Sequence, residues 1–512
     1  MIKDGRIWIG NTAEGNSVTF LPKMANRHGF IAGATGTGKT VTLKVLAESF
    51  SAMGVPVFMA DVKGDCAGLA QAGKESAALN ERLKALGIED FSLQGAPVAF
   101  WDLYGKKGIP LRTTISEMGP LLLGQILGLS EVQASVLAVL FKIADDHQLL
   151  LIDTKDLKAL IAYVGDNASA FEASYGKMTK ASLNVIVREL VALEAIGGED
   201  FFGEPALDIS DWLSTDPTGK GVIHLLDSSS LVNNSKLYAM FLLWLMSELF
   251  EALPEVGDME KPKLVFFFDE AHLLFKDTPK ALLDKIEQVV KLIRSKGVGI
   301  YFCTQNPKDI PDGVMAQLGN KIEHGLRAYT PADQKAVKAA AMAFRENPAF
   351  DTFDTILNLG TGEAMVSFLD EKGIPTIAEK ITVLPPQCAF ESIEDSVRQQ
   401  LIQGHLLYSK YSQSVDNDSA YEFLQRRGLE EEGVEPSAAL SPEDEKALRD
   451  AEKRAKARSN EMKKVGNAAL GSVGRSIGQS VGKQLFGNAG KTIGGNIGAS
   501  LGRSILNTLM RR

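Results

Sequence analysis

The octapeptide GATGTGKT, Gly33 to Thr40, constrains this chain more than any other stretch. It fits G-x-x-x-x-G-K-[ST] and stands between HGFIAG, an apolar run of strand character, and VTLKVLAESFSAM, apolar at helical spacing and stopped by Gly54. A further apolar run, VPVFMAD, comes next. Strand, glycine-rich bend, helix, strand is one βαβ unit, and a chain that contains it builds a parallel sheet. Gly33, Gly36 and Gly38 free the backbone for close approach, so that successive N–H groups wrap an anion at the positive end of the helix. The motif assigns Gly33, Ala34, Thr35, Gly36, Thr37, Gly38, Lys39, Thr40 and Val41 to a phosphate cradle. Lys39 is expected to reach the outer phosphates and Thr40 to offer its hydroxyl to Mg²⁺.

The runs PVAFWDL, GVIHLLD, KLVFFFDE, GVGIYFCTQ, KIEHGLRAY and GEAMVSFL also read as strands. Several lack polar alternation, as in a sheet covered by helices on both faces, and the expected fold class is α/β with a mostly parallel sheet. The core is expected over 1–111 and 201–390. It is interrupted by 112–200, a helical insertion with long helical periodicity and no convincing strand.

After residue 390 the composition shifts twice. A charged helical extension is expected over 391–464, where Ser441 caps a helix, Pro442 takes its first position and an acidic turn comes after it. From Val465 to Arg512 there is no Asp or Glu, there are six Lys or Arg, and glycines recur every four residues at 474, 478 and 482 and again from 490 to 502. In a helix each of these glycines costs about 1 kcal/mol relative to alanine. Close packing of the segment on itself or on a helical protein partner offsets that cost, as does a membrane surface beneath a basic helix; a flexible tail is the alternative.

A chain of 512 residues is too long for one compact core, and its 45% hydrophobic and 23% charged residues are those of an ordinary globular protein. A net charge of -9 excludes coating nucleic acid through bulk positive charge, but not a channel with a local basic lining. Cys66, Cys303 and Cys388 are far apart and lack metal-ligand spacing. No basic n-region precedes an apolar run at the N-terminus, so a secretory leader is not expected, and the most apolar stretch, MFLLWLMSELF, is too short for a bilayer and is broken by Glu248. A cytoplasmic location is expected.

Two further motifs carry chemistry. KLVFFFDEAH places Asp269 at the tip of an apolar strand, suited to hold Mg²⁺ through water, with Glu270 next to it as a general base for an attacking water. GIYFCTQNP ends another strand in Thr304 and Gln305, whose amide suits a γ-phosphate or the lytic water. Arg294 and Arg327 are candidates for stabilising transition-state charge, from the same subunit or across an interface. The charges of ADVKGD, Asp61 to Asp65, belong either to the site or to a turn, with the turn preferred. The acid pair favours activated water over a transferred acceptor, which argues against a kinase.

In this order, GATGTGKT, ADVKGD, the helical insertion, FFFDEAH, CTQNP and NKIEHGLRAYTPADQKAV resemble the HerA/FtsK group of P-loop motor ATPases, and within it the HerA-like bacterial ATPases of the YjgR type. The resemblance covers about residues 20 to 385. It implies a RecA-like core with one strand between the phosphate-loop strand and the strand of Asp269, ATP as nucleotide, Glu270 as catalytic glutamate and Gln305 as polar sensor. It also implies a homo-oligomer, typically a hexameric ring with an arginine acting in trans, and double-stranded DNA as partner. The chain departs from the group in two respects. About 27 residues precede the first core strand, fewer than the β-barrel of HerA proteins needs, and the winged helix and membrane segments of FtsK translocases are not found. A scaffold or switch ATPase acting through the tail is the alternative to a DNA motor.

Overall fold

Each apolar run read above as a strand forms one, and among the described residues all the strands join one sheet. The structure is a computed structural model and describes residues 1–431 apart from 232–234, 258, 277 and 279. The helix expected from Ser441 and the glycine stripe of 465–512 lie outside the described residues. The chain divides into two units, Met1–Gln425 and Arg426–Arg512, and the sheet belongs to the first.

In chain order the strands are β1 (Ile2–Lys3), β2 (Arg6–Asn11), β3 (Ser17–Phe20), β4 (Gly29–Ala32), β5 (Val57–Asp61), β6 (Val98–Asp102), β7 (Ile109–Pro110), β8 (Ile223–Asp227), β9 (Leu264–Phe268), β10 (Val298–Thr304), β11 (Asn320–His324), β12 (Glu363–Ser367) and β13 (Glu379–Val383). Across the sheet the order is β1-β2-β13-β12-β11-β4-β10-β9-β5-β8-β6-β7, with β3 paired to β2. From β11 to β7 every pairing is parallel. The flank from β12 to β1, with β3, is antiparallel. Every residue of β4, β5, β6, β8, β9 and β10 is buried, which explains their unbroken apolar runs. Aromatic rings fill the layers, with Phe267 against Tyr301 at 5.2 Å and Phe58 against Phe266 at 4.9 Å between centroids.

Register fixes the working edge. Ala32 of β4 lies opposite Thr304 of β10 and Glu323 of β11, while Phe268 of β9 lies opposite Phe302 and Ala60. The carboxyl ends of β11, β4, β10, β9 and β5 therefore come level, and the loops leaving these strands meet one another there.

Helix α1 (Lys39–Ala52) continues from the phosphate loop and is strapped from outside. The buried Lys44 amine donates to the carbonyls of Ala389 and Phe390, each at 2.9 Å, and the buried Glu48 carboxylate accepts from the backbone N–H groups of Gln387 and Cys388. Between β7 and β8 stand five helices, Ile115–Ile126, Glu131–Asp146, Thr154–Asp166, Ala168–Tyr175 and Lys180–Ala195. Capping boxes at Thr114, Ser130 and Asp153 start three of them. Their apolar faces, including Leu137, Leu160 and Ile186, run into the same hydrophobic core as the sheet. Among the described residues no helix is long and apolar enough to cross a membrane.

Under this layer Glu248 sits on the helix Ser235–Ala252, and burial, with Glu117, Glu251 and Asp208 nearby, pushes its carboxyl up to about 8. The folded protein holds this proton to about 8 whereas the ordinary carboxyl releases it near 4.5, so ionisation favours unfolding as pH rises through that window. Glu248→Gln is therefore expected to raise the urea midpoint at pH 8 and leave it nearly unchanged at pH 5, as read by circular dichroism.

Candidate nucleotide site

The phosphate loop leaves β4 through backbone conformations only glycine adopts readily: φ is +149° at Gly33, +78° at Gly36 and +119° at Gly38. A Cβ at Gly33 would lie 2.5 Å from the Cβ of His324 and 2.9 Å from Thr37 Oγ1. Tight contact continues outward. Ala34 N–H donates to the Gly325 carbonyl at 2.9 Å, and Gly362 N–H donates to the Thr37 carbonyl at 2.9 Å. His324 is wedged beneath, with Nε2 at 2.9 Å from Thr42 Oγ1 and Nδ1 at 2.9 Å from the Glu363 carbonyl. Burial drives its pKa down to about 4, against the Glu363 bond, so it stays neutral near pH 7 and acts as a fixed spacer.

Inside this loop the Lys39 amine donates to the carbonyls of Gly33 at 2.7 Å and Ala34 at 3.0 Å. Burial lowers its pKa, and the fields of Glu270 and Asp269 oppose that. A buried ammonium held by carbonyl dipoles is suited to an incoming anion. No side chain caps α1 at Gly38, and the N–H groups of its first turn have no acceptor within the helix.

Across the edge, β9 ends at Asp269 and Glu270, both buried. Glu270 adopts φ +48°, an unusual conformation for a residue with a side chain. Its Oε1 accepts from the Lys63 amine at 2.5 Å and from Gln305 Nε2 at 2.9 Å, while Gln305 Oε1 accepts from Thr35 Oγ1 at 2.9 Å. A single chain of bonds thus runs from the loop after β5, through the glutamate and the amide, to the phosphate loop. Burial works to raise the Glu270 pKa, but Lys63 and Gln305 outweigh it and the net shift is downward. Asp269 shifts the other way: burial and the neighbouring Glu270 raise it against the pull of Lys63.

The stretch ADVKGD takes both of its readings. Asp61 is a turn residue, its carboxylate accepting from the N–H groups of Gly64 at 2.8 Å and Cys66 at 2.9 Å. Lys63 takes the other reading, its amine reaching the Glu270 carboxylate. The sequence leaves its charge open between site and turn and gives the lysine no role of its own; its position just past a strand at the same sheet edge is the available signal.

The two arginines separate. Arg327 is exposed, three residues beyond β11, on the phosphate-loop side. Arg294 is exposed before β10, next to the start of β4, where its charge reaches His28. The seven residues of β10 put about 20 Å between that end and the tip at Thr304, so Arg294 does not serve its own chain's phosphate loop.

The geometry fits a nucleoside triphosphate with Mg²⁺. The loop presents a buried cation and free helix N–H groups, and Thr40 and Asp269 supply the oxygen chemistry Mg²⁺ prefers. Among the described residues no group of three or more His, Cys, Asp or Glu forms a metal cage.

A parallel sheet with β10 between the phosphate-loop strand and the acid-bearing strand is the RecA-like core of P-loop ATPases. The family model described as "Helicase HerA-like C-terminal" matches residues 7–512, and the chain belongs to that family. It is 24% identical over 347 residues to the DNA double-strand break repair helicase HerA of Sulfolobus acidocaldarius, covering 67% of this chain and 62% of that protein. A 120-residue match at 34% identity to a protein named "Probable helicase" in Methanocaldococcus jannaschii covers 23% of this chain and 21% of that one. The chain thus spans under two thirds of the length of both relatives. Among solved structures, the plasmid coupling protein TrwB in complex with the ATP analogue ADPNP shares the fold, with a TM-score of 0.51 at 16% identity over 77% of this chain and 92% of that chain.

Gly33→Ala tests the cradle. With the added Cβ driven into His324, affinity for a fluorescent ATP analogue is expected to fall at least about tenfold while circular dichroism stays native.

Proposed function

We propose that the chain is a Mg²⁺-dependent ATPase that works as a ring-forming motor on double-stranded DNA in the cytoplasm. The observation that carries the hydrolytic part is the position of Glu270, buried at a strand tip and tied through Gln305 to Thr35 of the phosphate loop. Duplex DNA is supported by the name of the relative, a DNA double-strand break repair helicase, and ATP by the phosphate loop and family membership; a homo-oligomeric, typically hexameric ring is what the resemblance to the HerA/FtsK group implies.

The residues divide the work by their places along the sheet edge. Backbone N–H groups of Gly33 to Val41 bind the phosphates, and Lys39 turns from its two carbonyls to the β- and γ-phosphates. Thr40 and Asp269 hold Mg²⁺, which when bound neutralises charge on the phosphate oxygens. Glu270 accepts a proton from the attacking water at a carboxylate oxygen. Gln305 transfers its amide from Glu270 to the γ-phosphate side and so registers whether the triphosphate is intact. Arg327 lies on the side of its own phosphate loop and Arg294 at the far end of β10, so in this reading Arg294 is the arginine that acts on a neighbouring copy.

Lys39→Ala is expected to abolish nucleotide binding, and Glu270→Gln to keep it while lowering kcat by about 10²-fold or more. ATP turnover and particle mass, measured with and without duplex DNA over a salt series, test the motor. DNA is expected to stimulate turnover, with stimulation falling as salt rises, and a rate and mass indifferent to duplex would overturn the DNA assignment.

Arginine action in trans has its own test. Arg294→Ala and Lys39→Ala proteins are each expected to be inactive alone, and to recover part of the ATPase activity when mixed. Recovery fails if Arg294 has no role across an interface.

A further inference from the structure

Lys63 carries more than a local ion pair. Its side chain is 44% exposed on the loop after β5, whereas the Glu270 carboxylate it holds is 5% exposed. Oε1 of Glu270 receives two donors at once, the Lys63 ammonium and the Gln305 amide, and so has no lone pair left for a water proton. Oε2 is buried without a hydrogen-bond partner and faces His272 Nδ1 at 3.3 Å. Oε1 is therefore occupied, and Oε2, the oxygen left with free lone pairs, is buried. The backbone at Glu270 has φ +48°, a conformation unusual for a residue with a side chain. The two donors answer to different signals. Gln305 is linked by a hydrogen bond to Thr35 and therefore to the arriving γ-phosphate, while Lys63 makes its hydrogen bond to Glu270, shares the fields of Asp269 and Lys39, and keeps its side chain partly open to solvent.

We propose that Lys63 is a positioning residue that restrains Glu270 until phosphodiester groups of bound duplex DNA draw the ammonium outward. This rests on the reading of Glu270 as the base. Hydrolysis then requires two releases, one by nucleotide through Gln305 and one by DNA through Lys63. DNA stimulation becomes the removal of a brake instead of the making of a new catalytic contact. The Asp61 turn supports such a motion, because it fixes the backbone at Gly64 and Cys66 and leaves the long Lys63 side chain as the part that swings.

The test is steady-state ATPase kinetics of Lys63→Met and Lys63→Arg with and without duplex DNA. Without DNA, Lys63→Met is expected to raise kcat about five- to tenfold, the factor for losing one charge-assisted hydrogen bond, with KM within about twofold of wild type. Its stimulation by DNA is expected to shrink toward unity. Lys63→Arg, which keeps the charge and the donor, is expected to restore the low DNA-free rate and the stimulation. A merely structural Lys63 would not give this split between kcat and KM or the rescue. Wild-type turnover that Glu270→Gln abolishes is the control for the underlying reading. With that control satisfied, a Lys63→Met kcat at or below wild type, with ATP still bound, overturns the restraint.

Discussion

Backbone register between neighbouring parallel strands is the constraint on which this molecule depends. Because Ala32 lies opposite both Thr304 and Glu323, and Phe268 opposite both Phe302 and Ala60, the ends of five strands finish at one level. Cradle, amide, acid pair and lysine come from segments separated by up to some 270 residues, as Thr35 and Gln305 are. A slip of one residue in any pair would turn those side chains to the opposite face. The fully buried aromatic strands hold that register, since a slip would also move Phe267 and Tyr301 out of their layer.

How much of this was legible in the sequence depends on what each residue type reports locally. GATGTGKT announces itself because its glycines answer a backbone requirement met within eight residues. The apolar strands are equally plain, since full burial removes polar alternation. The strand EKITV of β13 went unread because it lies on the antiparallel flank, where its side chains alternate between buried and exposed. Asp269, Glu270 and Gln305 were readable as strand-tip polar residues, and the structure brings Glu270 and Gln305 together by direct hydrogen bonds. Lys63 was not, because nothing in ADVKGD shows that its amine crosses to another strand's carboxylate. Nor does KIEHGL show that His324 is the wedge under the loop, a fact of packing between β11 and α1.

The electrostatics arise from the same geometry. Asp61, Asp227 and Asp269 end three adjacent or nearly adjacent strands, and burial with their mutual repulsion lifts Asp61 to about 6. A cluster of this kind is costly in isolation. Here Lys63, Lys107 and Arg398 meet it, the last packed over the Phe100 ring and ion-paired with Asp227 at 3.3 Å. Asp227, Asp269 and Glu270 of this edge are thus each met by a cation within the same chain.

The strap on α1 has a mechanical consequence. Two buried charged side chains, Lys44 and Glu48, are fastened to consecutive peptide groups of residues 387–390, and sliding the helix would strand both charges without partners. The helix behind the phosphate loop is therefore an anvil.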